Sequence, residues 1–129
     1  TRRSSDLTEL MIGDVTEGTR LTVELNGQGD LARPEARMLL LSFLCLDSAM
    51  PWGGRVLICR TAPGWRVVGE ATRMRIDRDL WRWLDGDAAP MQPMPPAAAV
   101  HFPLLGRMAA QLARPVTWEV DETGAEISF

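Results

Sequence analysis

The stretch ARMLLLSFLCLDSAMPWGGRVLICRTAPGWRVVGEA (36–71) decides the fold. Its first part is apolar nearly all round, which marks a central buried helix rather than a surface one. Pro34 suits the first helical turn, and Glu35 sits near the positive end of the helix dipole. Pro51 stops the helix, and Gly53-Gly54 turn the chain. RVLICR (55–60) and WRVVGEA (65–71) then read as two strands, joined by a tight turn at TAPG (61–64). A buried helix that feeds a hairpin packs helix on sheet.

Working outward, SSDLTELMIGD (4–14) places Leu7, Leu10 and Met11 on one face, with Ser4 or Ser5 able to cap a short helix. TRLTVEL (19–25) alternates Leu21, Val23 and Leu25 with polar residues, as a half-buried strand does, and NGQGD (26–30) is a turn. Beyond the hairpin, Asp77 caps a short helix that carries Leu80, Trp81 and Leu84. DGDAAPMQPMPPAAA (85–99) has four prolines and no periodicity, so it is a loop or linker: a shortened lid remnant, a plain loop or a polyproline ligand. AVHFPLLGRMAAQLA (99–113) is a helix with Val100, Leu104, Leu105, Met108 and Leu112 as its expected buried face. PVTWEV and AEISF, around a turn at Asp121 to Gly124, form a last hairpin. Strands are rarely separated by single helices, which excludes a doubly wound parallel sheet. The expected fold is α+β: a two-layer sandwich, with a mixed sheet and helices on one face.

Composition narrows the function. The 129 residues make one domain, and 46% hydrophobic residues suffice for one core. A net charge of −3 argues against a nucleic-acid footprint. All 14 basic residues are Arg, so no lysine nucleophile, Schiff base or phosphate-loop lysine is possible. Cys45 and Cys59 are separated in the chain, which fits buried thiols in a reducing, cytoplasmic setting. With His101 as the sole histidine, no familiar zinc site can be assembled, and no metal or cofactor is expected. No membrane span or signal peptide is visible. The chain opens at Thr1 rather than Met, so an upstream portion is open.

The element order and turns resemble the Bergerat (GHKL) fold of histidine-kinase catalytic domains. The frame LLLSFLCLDSAMPWGGRVLI matches a helix ending in an asparagine box, followed by a glycine turn and a strand. HFPLLGRMAAQLARPVTWEVDETGAEISF fits that family's last helix and hairpin. The resemblance implies a nucleotide site whose two key asparagines fall at Leu41 and Cys45. A leucine cannot ligate Mg²⁺, and a thiol is a soft substitute. Where that family has an Asp for adenine followed by glycines, this chain reads VVGEATRMRI, with only Glu70 as a mimic. The implied pocket is therefore degenerate at Leu41, Cys45 and Glu70, and lost charge-assisted contacts of about 1.5–3 kcal/mol each remove nucleotide affinity.

PWGGRV (51–56), RMRID (73–77) and VHF (100–102) are similar to features of the ChpT-type histidine phosphotransferases, bacterial phosphorelay proteins that keep this shell without ATP. That resemblance implies a C-terminal degenerate domain, here 15–129, with residues 1–14 trailing from an upstream helical hairpin. The hairpin would dimerise and carry the phosphoacceptor histidine. It implies response-regulator receiver domains as partners, and a domain that is by itself non-catalytic. His101 does not stand at the family's phosphoacceptor position and reads as a helix-start residue packed beside Phe102. Cys45, in an apolar helix, reads as core.

Trp52, Trp81, Arg82, Trp83 and Arg78 are the partner-interface candidates, because Trp and Arg concentrate in interface hot spots. Trp81 and Trp83 cannot share one helix face, so one of them lies outside the core or beneath the Pro-rich loop. Arg73, Arg75, Arg78 and Arg82 form either a patch for an acidic partner or a solvated face offset by Asp77 and Asp79. Three rival functions stay open: a kinase domain with an atypical ATP pocket, a non-enzymatic regulatory module of the same fold, and a binder of another small molecule in the emptied cleft.

Overall fold

The computed structural model describes residues 21–26, 31–62, 64–88 and 93–129. The helix expected over 4–14, the turn at 26–30 for the most part, and the boundary at residue 14 lie outside them. Five strands form one sheet: β1 (Leu21–Asn26), β2 (Gly54–Arg60), β3 (Trp65–Glu70), β4 (Thr117–Val120) and β5 (Gly124–Ser128). Their spatial order is β1-β2-β3-β5-β4. β1 and β2 are parallel, and every other pairing is antiparallel. The parallel pair needs a crossover, and α1 (Arg33–Ala49) supplies it. The expected α+β architecture, a mixed sheet under a layer of helices, is the one observed.

Alternation along the strands shows which side the helices cover. On β3, Trp65, Val67 and Gly69 are buried while Arg66 and Glu70 are exposed. On β5, Ala125 and Ile127 are buried. Beneath α1, Leu39, Phe43 and Leu46 meet Val56 and Ile58 in one core, and none of these five is measurably exposed. Each such side chain stabilises the fold by about 1.5–3 kcal/mol. Gly69 lets α1 pack closely here, since a Cβ would stand 3.0 Å from the Met50 methyl and 3.2 Å from a Leu46 methyl, and those side chains would have to shift. A second lock ties the start of α1 to β3: the Trp65 indole N–H donates to Glu35 at 2.8 Å.

Asp77 caps α2 (Arg78–Trp81) as expected, its side chain accepting from the Asp79 amide at 3.1 Å. The helix does not end at Leu84. It tightens into a 3₁₀ segment over Arg82–Ala88, so the stretch expected to be loop from residue 85 begins helical. A further 3₁₀ turn, Ala97–Ala99, leads into α3 (His101–Gln111).

The face of α3 also departs from expectation. Phe102, Pro103, Leu105, Gly106 and Ala109 are the buried residues. Leu104 is 46% exposed and Leu112 38%, and Val100 and Met108 are half-buried. The helix is rotated because Gly106 lets it press on the 3₁₀ segment; a Cβ there would fall 2.0 Å from the Trp83 carbonyl oxygen. Trp81 fills the space between, edge-on to Phe102 at 5.4 Å and tilted on Trp118 at 5.8 Å.

Candidate functional site

The three pocket positions are not brought together. Cys45 is fully buried, and burial pushes its thiol well above the usual range, so it is an inert core residue. Leu41, one turn earlier on α1, is half-buried against the same core. Glu70 alternates with Gly69 on β3, so its carboxylate points away from the helix layer, on the other face of the sheet from Leu41 and Cys45. Its neighbour there is Arg55, across the β2–β3 ladder. Glu70 therefore cannot stand in for an aspartate facing an α1 pocket, which corrects the expectation from VVGEA.

The α1 end of that region is closed by a contact that local sequence does not show, because its partners are 53 residues apart. Ser48 Oγ and His101 Nε2 lie 2.8 Å apart, pinning the end of α1 to the start of α3. The His101 ring also rests on Phe102, with centroids 4.8 Å apart. Burial lowers the His101 pKa, favouring the neutral ring that can accept from Ser48. Burial likewise raises the carboxyl pKa of Asp47, the residue before Ser48 in sequence.

The second constellation lies where α1 ends. The Gly53 amide donates to the Met50 carbonyl at 3.0 Å, closing a turn that Gly53 completes at φ 99°. That turn lifts Trp52 out of the core, and it is 46% exposed. After β3, the Arg75 amide donates to the Ala49 carbonyl at 2.8 Å, which anchors the arginine-rich segment to the same helix end. As a result the Arg73 guanidinium stacks 3.7 Å from the Trp52 ring centre. Arg78, just beyond the Asp77 cap, borders a groove of about 1300 Å³. Trp52, Gly53 and Thr72 line the same groove, as do Trp118, Asp121 and Thr123.

The charge pattern sets this corner apart. On the open sheet face the arginines are neutralised: Arg55 pairs with Glu24, and Arg66 with Glu126. Arg73, Arg75 and Arg78 are exposed and make no ion pair among the described residues. Of the expected interface residues, Trp52 and Arg78 stand at this corner. Arg82 is exposed with Asp79 3.7 Å away, and Trp83 is half-buried. Trp81 is only 1% exposed and belongs to the core, so it is removed from the interface set. Arg73 and Arg75 belong to the corner; their clustering was visible, but the stacking on Trp52 was not.

Among the described residues no group of three or more His, Cys, Asp or Glu could hold a metal ion. No described helix is long and apolar enough to cross a membrane.

Comparison with known proteins gives one family. The model of the histidine phosphotransferase C-terminal domain matches residues 6–124. A solved structure of a bacterial phosphotransferase superposes with a TM-score of 0.75 at 14% identity, over 93% of this chain and 61% of that one. At that identity the likeness shows the fold, and this chain spans about three-fifths of the length of the phosphotransferase. No curated protein matches.

Proposed function

Since this chain belongs to the histidine phosphotransferase C-terminal domain family, we propose that it is the docking domain of a phosphorelay protein, holding response-regulator receiver domains for phosphotransfer without using nucleotide. In this reading the phosphoacceptor histidine and the dimer interface belong to a helical hairpin upstream, in a bacterial cytoplasmic protein. This domain contributes position, and positioning is most of what transfer between two prepared side chains requires.

The observation that carries the reading is the corner of Trp52, Arg73, Arg75 and Arg78. Three arginines without carboxylate partners, beside an exposed indole, suit a receiver's acidic phosphorylation face. Trp52 offers the apolar anchor, and the arginines offer steering and register. The absence of nucleotide chemistry rests on the other constellation. Leu41 and Cys45 provide no hard oxygen donor, Cys45 is sealed in the core, and Ser48–His101 draws α1 and α3 together.

Calorimetric titration tests both halves. The chain should give no heat with millimolar Mg-ATP, beside a kinase domain as control, and should give saturable heat with a receiver domain. Micromolar nucleotide binding, or no receiver binding by either this chain or the full-length protein, would refute the reading.

A further inference from the structure

α3 carries more apolar surface than its own core uses. Phe102, Leu105 and Ala109 are buried beneath it. A second stripe, Leu104, Met108 and Leu112, repeats every four residues, with Leu104 46% and Leu112 38% exposed. The Ser48–His101 hydrogen bond sets the neighbour of this stripe, because it joins the last turn of α1 to the first turn of α3, and the two helices pack on each other. One and two turns back along α1 from Ser48 stand Leu44 and Leu41, both half-buried. One and two turns on from His101 stand Leu104 and Met108. Both packed helices therefore carry an incompletely covered apolar row that starts from this contact.

The exposed charges of the two helices are arginines; of the α1 carboxylates, Asp47 is half-buried at the Ser48 end. α3 contains Arg107 and no carboxylate. At the opposite end from Ser48, α1 exposes Arg33 and Arg37, which make no ion pair among the described residues. Glu35, between them in sequence, is turned to the Trp65 indole and lies 3.9 Å from Arg114. In a chain of net charge −3 this is a local reversal.

We propose that the α1–α3 seam is a docking groove for one acidic amphipathic helix of a partner protein. A third helix laid in the groove would bury apolar residues at helical spacing against Leu41, Leu44, Leu104 and Met108. Acidic residues flanking that stripe would meet Arg37 and Arg107. The exposed row from Leu104 to Leu112 is about 12 Å long, so roughly three turns of partner helix cover it with overhang. This surface adjoins the arginine corner at Ala49, whose carbonyl accepts from the Arg75 amide, but its lining residues are different ones, so variants at Leu104 and Leu112 test it apart from receiver docking at the corner.

The test uses the isotope-labelled chain and a designed helical peptide of about 14 residues, with leucines on one face and glutamates elsewhere. Amide resonances of residues 37–44 on α1 and 104–112 along α3 should shift saturably, and those of Trp52, Arg73 and Arg78 should not. Leu104→Asp and Leu112→Asp, each at an already exposed position, should weaken binding about tenfold or more while circular dichroism stays unchanged. The same peptide with lysines for glutamates should bind weakly. The proposal is overturned if the acidic peptide produces no shifts at millimolar concentration, or if the lysine or face-scrambled peptide binds equally well. Sedimentation showing that the seam instead joins two copies of this chain, separated by Leu104→Asp, overturns it too.

Discussion

Replacing His101 with glutamine should flatten the pH dependence of stability on the acid side of neutrality. His101 is half-buried, stacked on Phe102 and bonded to Ser48, and burial lowers its pKa below the usual 6.5. A lowered histidine pKa means that the unfolded chain binds the proton first. The stabilisation tied to a neutral ring is therefore complete above the unfolded value of about 6.5 and is lost as pH falls below it towards the folded value. One proton bound by the unfolded chain alone gives a slope of at most about 1.4 kcal/mol per pH unit, and half-exposure with solvent screening reduces the total. Asp47 has a raised pKa, which acts in the opposite direction, but chiefly nearer the carboxylate range, and it is present in both proteins. Urea unfolding of wild type and His101→Gln between about pH 7.5 and 5.5 reads the difference. Wild type should lose stability more steeply with acid, and Ser48→Ala should cost about 0.5–1.5 kcal/mol at neutral pH. Parallel slopes in the two proteins would falsify the assignment of a neutral, buried latch.

Other consequences concern the core. Trp81→Ala should cost about 3–5 kcal/mol in denaturant melts, because Trp81 is 1% exposed between Phe102 and Trp118. A loss below about 1 kcal/mol would return Trp81 to the surface. Gly106→Val should prevent α3 from seating on the 3₁₀ segment, since even a Cβ meets the Trp83 carbonyl at 2.0 Å, so little folded protein is expected by circular dichroism. Cys45→Asn, which restores a carboxamide at an expected pocket position, should destabilise by about 1–3 kcal/mol and bring no affinity for Mg-ATP, since the site is sealed.

Much of this architecture was legible in the sequence because its signals are local and periodic. Pro34 and Pro51 bracket α1, Gly53-Gly54 mark the turn into β2, and Asp77 marks a cap. The rotation of α3 was hidden, because two of its faces are apolar and periodicity cannot say which one the sheet takes. Only the close approach at Gly106 decides it. Glu70 was misjudged for a similar reason. Its type suited a pocket, but strand parity relative to Gly69 puts it on the opposite face of the sheet. The Ser48–His101 contact and the Arg73–Trp52 stack join residues that only the tertiary fold makes neighbours.

The receiver-docking claim is tested most directly by measuring the affinity of one cognate receiver domain for wild type and for the Arg73→Glu, Arg75→Glu, Arg78→Glu triple variant, at low and high salt. All three side chains are exposed, so the variant should fold normally. The account predicts a loss of at least about tenfold, and a weaker salt dependence in the variant than in wild type. Equal affinity and equal salt dependence in the two proteins would contradict it.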